Sequence, residues 1–289
     1  MTRIGVVGLG AMGGPMAGHA LSASLAVCVH NRTRDREEPF VARGATRADS
    51  PAEVAIGADL ILTCVSDVPD LEQVVLGEGG IIETIQSGAV VVDCSTVSPS
   101  ISKTIDRALR SRGASLLDCP VSGGPEGAQR GQLTVFVGGD EGDLAKARPL
   151  LESFGKTIAY MGPVGSGQAA KAVNQIFLAG AYAGLGEALV FAERAGLPLD
   201  RLVEALQGGA ADSWVIRNRS QNVINGAYPP GFRLWMHLKD IRIALAEAES
   251  LGVGLPITEL VAELEQKCVE AGYGNEDVSA YARVPRGEV

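Results

Sequence analysis

Lys171 and Asn174 stand three residues apart in a long Ala-rich stretch, so on a helix their side chains share one face and can touch the same ligand. A lysine can give or take a proton near neutral pH when burial or a neighbouring cation lowers its pKa from about 10.4. Taken alone, Lys171 would be read as a solvated lysine, as most lysines on helices are. A second pattern is Ser122, which follows Val121 and precedes Gly123-Gly124. It falls at the end of a strand, where exposed backbone N–H groups can bind an anion without side-chain obstruction.

The third pattern is Gly8-Leu9-Gly10-Ala11-Met12-Gly13, directly after the apolar run Ile4 to Val7 and before a helical stretch. A G-x-G-x-x-G means little by itself, but between a first strand and a first helix it is the loop that holds a dinucleotide. Gly8 supplies the tight turn, Gly10 lets the backbone approach a pyrophosphate, and Gly13 allows close helix-strand packing; the helix N-terminus adds N–H groups and a favourable dipole. Where NAD-binding chains carry an Asp or Glu for the ribose hydroxyls, at the end of the second strand, this chain reads His30-Asn31-Arg32-Thr33-Arg34. Arg32 suits a 2′-phosphate, with Asn31 and Thr33 supplying hydrogen-bonding groups, so NADP(H) is preferred and NAD(H) is possible.

The elements that must position these residues follow from periodicity. Short apolar runs at Ile4 to Val7, Leu25 to Val29, Leu60 to Val65, Ala89 to Val92, Ser115 to Leu117 and Leu133 to Val137 alternate with amphipathic stretches. That is the pattern of βα units around a mostly parallel, doubly wound sheet. After Gly162-Pro163 the character changes: Gln168 to Ala195 reads as one long helix, further helices are expected near 199–207, 234–251 and 256–271, and no strand pattern returns. The expected architecture is an α/β Rossmann-type domain over 1–161 and an all-helical domain over 162–289 for substrate binding and dimerisation, joined by a long interdomain helix. A helix so long and so rich in small residues is expected to pack partly on a second subunit, giving a homodimer or homotetramer through the helical domain.

Bulk properties exclude several classes. A net charge of −9 disfavours nucleic acid, whose partners carry a basic face. No apolar run free of Gly and charge approaches the ~18 residues of a membrane span, and the N-terminus begins at once on a strand, so no membrane and a cytoplasmic location are expected. Cys28, Cys64, Cys94, Cys119 and Cys268 are scattered and read as reduced core thiols, and His19, His30 and His237 lack metal or triad spacing, so no metal is expected. Cys119, beside the Ser122 segment, leaves open a thiol-sensitive site.

Three stretches extend the reading: Asp118-Cys119-Pro120-Val121-Ser122-Gly123-Gly124-Pro125-Glu126-Gly127-Ala128, Gly165-Ser166-Gly167-Gln168-Ala169-Ala170-Lys171-Ala172-Val173-Asn174-Gln175, and His237-Leu238-Lys239-Asp240. With the glycine loop, and in this order, they resemble the β-hydroxyacid dehydrogenase family, from the first strand to about residue 280. The resemblance implies that Lys171 is the acid/base, that Ser122, Gly123 and Gly124 hold a substrate carboxylate, and that Asn174 hydrogen-bonds within the site. It also implies that Ser95-Thr96 and Val65 with Ser66 line the nicotinamide and ribose, and that Lys239 lies beside the cofactor. The implied reaction is hydride transfer between NADP(H) and a small 3-hydroxy acid or its semialdehyde.

Competing readings are an imine reductase-like enzyme, against which Lys171 argues because such relatives usually replace it, and a non-catalytic cofactor-binding scaffold or sensor, whose signature would be a broken set. The 6-phosphogluconate dehydrogenases share the plan but have a much longer C-terminal domain. Without the resemblance Lys239-Asp240 would pass for a solvated helix face, Trp214, Phe232 and Trp235 for core or subunit-contact aromatics, and Arg217 and Arg219 for surface residues within reach of an acidic ligand. The segments 208–214 and 228–235 are expected to shape the pocket.

Overall fold

A computed structural model describes residues 2–289. The chain forms two compact units, the first extending to Lys171 and the second running from Ala172 to Val289.

The first unit is built on one sheet: β1 (Arg3–Val7), β2 (Ala26–His30), β3 (Thr46–Arg47), β4 (Leu60–Thr63), β5 (Val90–Asp93), β6 (Ser115–Asp118), β7 (Val121–Ser122), β8 (Leu133–Gly138) and β9 (Gly155–Gly162), in the order β3-β2-β1-β4-β5-β6-β8-β7 with β9 on β8. Strands β1 to β6 are parallel, β8 runs antiparallel to β6 and β7, and β9 is parallel to β8. The order reverses direction between β1 and β4, which opens a crevice at the carboxyl ends of the strands, where doubly wound sheets take their ligands. Around the sheet lie α1 (Gly13–Ser22), α2 (Glu38–Val41), α3 (Pro51–Ala55), α4 (Val68–Leu76), α5 (Pro99–Arg110), α6 (Gly124–Gln129), α7 (Glu141–Phe154) and the first turns of α8 (Ser166–Arg194).

Strands β4, β5 and β6 are buried at every position because both faces are covered, and polar residues enter them only at their ends. Ile4, Val6, Leu60, Leu62, Val90 and Val92 enter one core cluster, and Val7, Ile61, Val91 and Leu116 enter the other, alternating as a strand period of two requires. Strand β9 was not expected from the sequence: its residues are mostly half-exposed, and Gly155 to Gly162 lacks the continuous apolar run that marks the others.

The second unit comprises the rest of α8, then α9 (Leu199–Leu206), α10 (Trp214–Asn225), α11 (Leu234–Ser250), α12 (Pro256–Cys268) and α13 (Arg283–Arg286). Its extended pairing is limited, among the described residues, to an isolated bridge between Arg233 and Asp277. Helix α10 is not among the helices expected from the sequence, because WVIRNRSQNVIN is mostly polar, although Ser213 accepts the Ile216 N–H as an N-cap and Gly226 ends the helix in the left-handed region. The division between the two compact units falls inside helix α8, at 171/172, and by length and mean hydropathy its 29 residues would suffice to cross a membrane. Its apolar character has a use within the chain, since Ala179, Tyr182, Leu185, Leu189 and Val190 fill the cores of the helical unit.

Candidate active site

The glycine loop leaves β1 at the crevice. A Cβ on Gly8 would collide with the Cys64 carbonyl, and one on Gly13 with the Gly8 carbonyl, so both positions are closed to any larger residue by backbone. Gly10 is different: the nearest atom to a Cβ there is Arg36 Nη1, 4.0 Å away, so backbone at Gly10 faces open space bounded by a guanidinium. A loop with two glycines packed tight and one facing outward under a cation fits a dinucleotide's phosphates.

At the end of β2, Asn31 is buried and joins two loops: its Oδ1 accepts the Leu9 N–H at 2.8 Å, and its amide donates to the Thr33 carbonyl at 2.8 Å. Arg32 reaches outward with 87% of its side chain exposed and pairs with Asp70 Oδ1 on α4 at 3.1 Å. Thr33 is exposed. Two residues escaped the sequence reading. Glu37 is a fully buried acid whose Oε1 accepts the Asn31 N–H at 2.8 Å, but Arg34 and Arg47 neutralise it at 3.1 and 2.8 Å. Arg36 has no hydrogen-bonding or ion-pair partner for its side chain among the described residues, whereas Arg32, Arg34, Arg43 and Arg47 are all engaged. Its type was readable, but its direction over Gly10 depends on the turn at 34–37.

The ends of β4 and β5 form one network. Asp93 Oδ1 accepts from Thr63 Oγ1 at 2.7 Å, from the Ser95 hydroxyl at 2.7 Å and from the Ser95 N–H at 3.2 Å, while Ser95 Oγ accepts the Val65 N–H at 3.0 Å. Ser66 is exposed, and Val65 and Thr96 are half-buried, all three following the carboxyl ends of β4 and β5. Ser122 ends β7 opposite Thr134, and Gly123 and Gly124 follow with φ of +129° and +66°, in the region that favours glycine. Cys119 is fully buried; burial first, and then the Asp118 carboxylate, push its thiol well above the usual range, which disfavours the thiolate.

Lys171 is only 6% exposed, so the solvated reading of it does not hold. The turn that precedes it is tied to the sheet: the Gly165 and Gln168 N–H groups donate to Asp118 Oδ1 and Oδ2 at 2.8 and 2.9 Å, and the Gln168 amide donates to the Ser95 carbonyl at 2.9 Å and accepts the Val97 N–H at 3.2 Å.

In the helical unit, Asn174 donates to Gln175 Oε1 at 2.7 Å, Gln175 donates to Asp240 Oδ2 at 2.7 Å, and Lys239 Nζ lies 3.0 Å from Asp240 Oδ1. Asp240 is buried and Lys239 largely so, which rules out a solvated face for this pair. Arg219, for which a surface reading was open, is also buried, paired with Asp277 at 3.0 Å and stacked on Trp214 at 4.8 Å. Arg217 remains exposed and holds the Asp212 carboxyl down at about 2, fixing the loop before α10. Phe232 and Tyr182 pack edge-on against His237, which shares a fully buried bond of 2.7 Å with Glu265.

Comparison with known proteins agrees with this geometry. Residues 3–162 match the NAD binding domain of 6-phosphogluconate dehydrogenase, and residues 165–285 match the NAD-binding domain of NADP-dependent 3-hydroxyisobutyrate dehydrogenase. The chain is 36% identical to 2-hydroxy-3-oxopropionate reductase of Escherichia coli, over 96% of this chain and 95% of that one. It is 33% identical to the NAD-dependent L-serine dehydrogenase of Pseudomonas aeruginosa, over 98% of each. The crystal structure of 3-hydroxyisobutyrate dehydrogenase from Salmonella typhimurium superposes with a TM-score of 0.89 at 30% identity, over 98% of this chain and all of that one. A nucleotide loop of the right build, an intact Ser-Gly-Gly turn and a buried lysine thus accompany near full-length similarity, and the chain belongs to the 3-hydroxyisobutyrate dehydrogenase family of NAD(P)-dependent hydroxyacid dehydrogenases.

Proposed function

We propose that this chain is a cytoplasmic NADP(H)-dependent reductase or dehydrogenase that interconverts a small 3-hydroxy acid and its semialdehyde, with Lys171 as acid/base. The observation that carries the reading is the buried Lys171 on a helix whose first turn is bonded to the carboxyl ends of β5 and β6. When bound, the dinucleotide supplies the hydride. Gly8, Leu9, Gly10, Ala11, Met12 and Gly13 would hold its phosphates, and Val65, Ser66 and Thr96 its nicotinamide end; Lys239 is assigned to the cofactor by family resemblance. Arg32 takes a 2′-phosphate by leaving Asp70, and Arg36 supplies a second cation on the same side of the loop.

The Ser122 to Gly124 turn offers N–H groups to the substrate carboxylate, which orients the far end of a short acid. In the reducing direction protonated Lys171 delivers a proton to the developing alkoxide; in the oxidising direction the neutral amine removes it from the hydroxyl. Asn174, one turn along α8, hydrogen-bonds the substrate, its amide oriented by Gln175. Five cysteines, all thiols, suit a reducing compartment. The active assembly is a homodimer or homotetramer formed through the helical domain.

The deciding experiment is a panel of small hydroxy acids and semialdehydes assayed with NADPH and with NADH, with Lys171→Ala alongside. The variant is expected to lose about two to four orders of magnitude in kcat with cofactor affinity kept; near-normal turnover would remove Lys171 from the mechanism.

A further inference from the structure

Helix α8 begins without the means to cap itself. The first turn of any helix leaves N–H groups with no intrahelical partner, and the common remedy is local: the N-cap side chain accepts the N–H of the third helical residue, whose own side chain reaches back to the N-cap N–H. Here the N-cap position is Gly165, which has no side chain, and the third residue is Gln168, whose amide is committed to Ser95 and Val97. A single carboxylate distant in sequence replaces both halves of the device. Asp118, at the end of β6, takes the Gly165 N–H on one oxygen and the Gln168 N–H on the other. It is fully buried, and the sites of Gly138 and Gly167 are closed to larger residues by that carboxylate and the backbone beside it.

Burying a carboxylate is a costly way to start a helix, because a Ser, Thr or Asn at the N-cap satisfies the same groups at the surface. What the tertiary arrangement adds is a fixed position. The first turn of α8 is bonded at once to β6 through Asp118 and to the segment after β5 through Gln168, and Lys171 follows within the next turn. We propose that Asp118, with Gln168 as its partner, is a positioning residue for Lys171: the two side chains fix the backbone that carries the amine against the strand ends that line the cofactor crevice. The inference rests on the acid/base role given to Lys171 above. A displacement of about 1 Å at a reacting group can cost on the order of 100-fold in rate, so the brace acts on turnover rather than on binding.

The test uses the full chain and two near-isosteric variants. Asp118→Asn keeps one acceptor but turns an amide N–H toward a backbone N–H, and Gln168→Met removes the bonds to Ser95 and Val97 at similar volume. Each is measured for kcat and KM with the best carbonyl substrate, for NADPH Kd by fluorescence titration, for Tm, and for hydrogen exchange across 165–175. The expected result is a kcat loss of about 10- to 100-fold with NADPH Kd within about two-fold and faster exchange confined to that segment. Unchanged kcat in a folded variant overturns the proposal, as does parallel loss of kcat, Kd and Tm, the mark of a purely structural role. If Asp118→Asn fails to fold, Gln168→Met decides. If the wild type reduces nothing in the panel, the reductase reading fails separately; unaltered exchange at 165–175 in both variants then shows that the brace itself is absent.

Discussion

Asp118 has a pH signature that follows from where it is buried. Burial pushes its carboxyl up to about 6 despite the Gly165 and Gln168 N–H groups that pull it down, and Asp93 on β5 adds to the rise. The form that accepts both N–H groups is the ionised one, so kcat is expected to fall below about pH 6 in the wild type and to lack that limb in Asp118→Asn, as pH-rate profiles will show. The stability effect runs the other way: the folded value lies above the unfolded value of about 3.9, so the folded chain is favoured by this group below about pH 4 and loses that contribution as pH rises through about 6. Unfolding free energies of wild type and Asp118→Asn should therefore diverge with pH across that interval. At the cofactor end, Arg32→Asp should weaken NADPH far more than NADH, and Arg36→Gln should weaken NADPH with Arg32 intact; equal losses for both cofactors in titrations would count against these assignments. Lys171, Asn174, Ser122 and Arg32 stand out in the sequence as candidates through their motifs and, for the first three, through the family resemblance. Asp118, Glu37 and Arg36 were in plain view as letters, but their roles depend on which way a side chain turns or on a partner far along the chain, and spacing carries neither.

Elements with a continuous apolar run or a glycine fingerprint were readable, and elements that rely on mixed residues were not. Strands β1, β2, β4, β5, β6 and β8 coincide with apolar runs, whereas β9 is half-exposed and α10 hides its buried stripe among Arg, Asn, Gln and Ser. Cap residues were the remaining signal for α10: Ser213 before it and Gly226 after it mark both ends. Ser213→Ala is expected to destabilise the helical unit by about 1 kcal/mol in denaturant unfolding, with NADPH affinity unchanged. The glycine loop gives a sharper case. Because a Cβ at 13 would meet the Gly8 carbonyl, Gly13→Ala must shift either the loop or α1, and loss of NADPH binding with retained folding is the expected outcome by titration and circular dichroism.

At the scale of the whole molecule, the two-part plan was legible from the switch between alternating runs and sustained helical period, while the attachment of the first turn of α8 to the sheet was not, because it is made by tertiary bonds rather than by composition. The same helix carries exposed Val173, Phe177 and Phe191, the last two 76% and 72% exposed, with open space around Gly180 and Gly184. From 173 to 184 these positions recur every three to four residues along one side, and Phe191 follows seven residues on, the spacing of a seam between helices. Phe177→Glu with Phe191→Glu is expected to shift the assembly toward monomer in sedimentation velocity, and an unchanged sedimentation coefficient would place the subunit contact elsewhere. One rod therefore bears Lys171, the proposed acid/base, near its beginning and the exposed apolar residues along its length. If the proposed assembly forms along this seam, specific activity is expected to decline on dilution below the dissociation constant of that assembly, and to recover on addition of an inactive Lys171→Ala chain that restores the missing neighbour without contributing turnover.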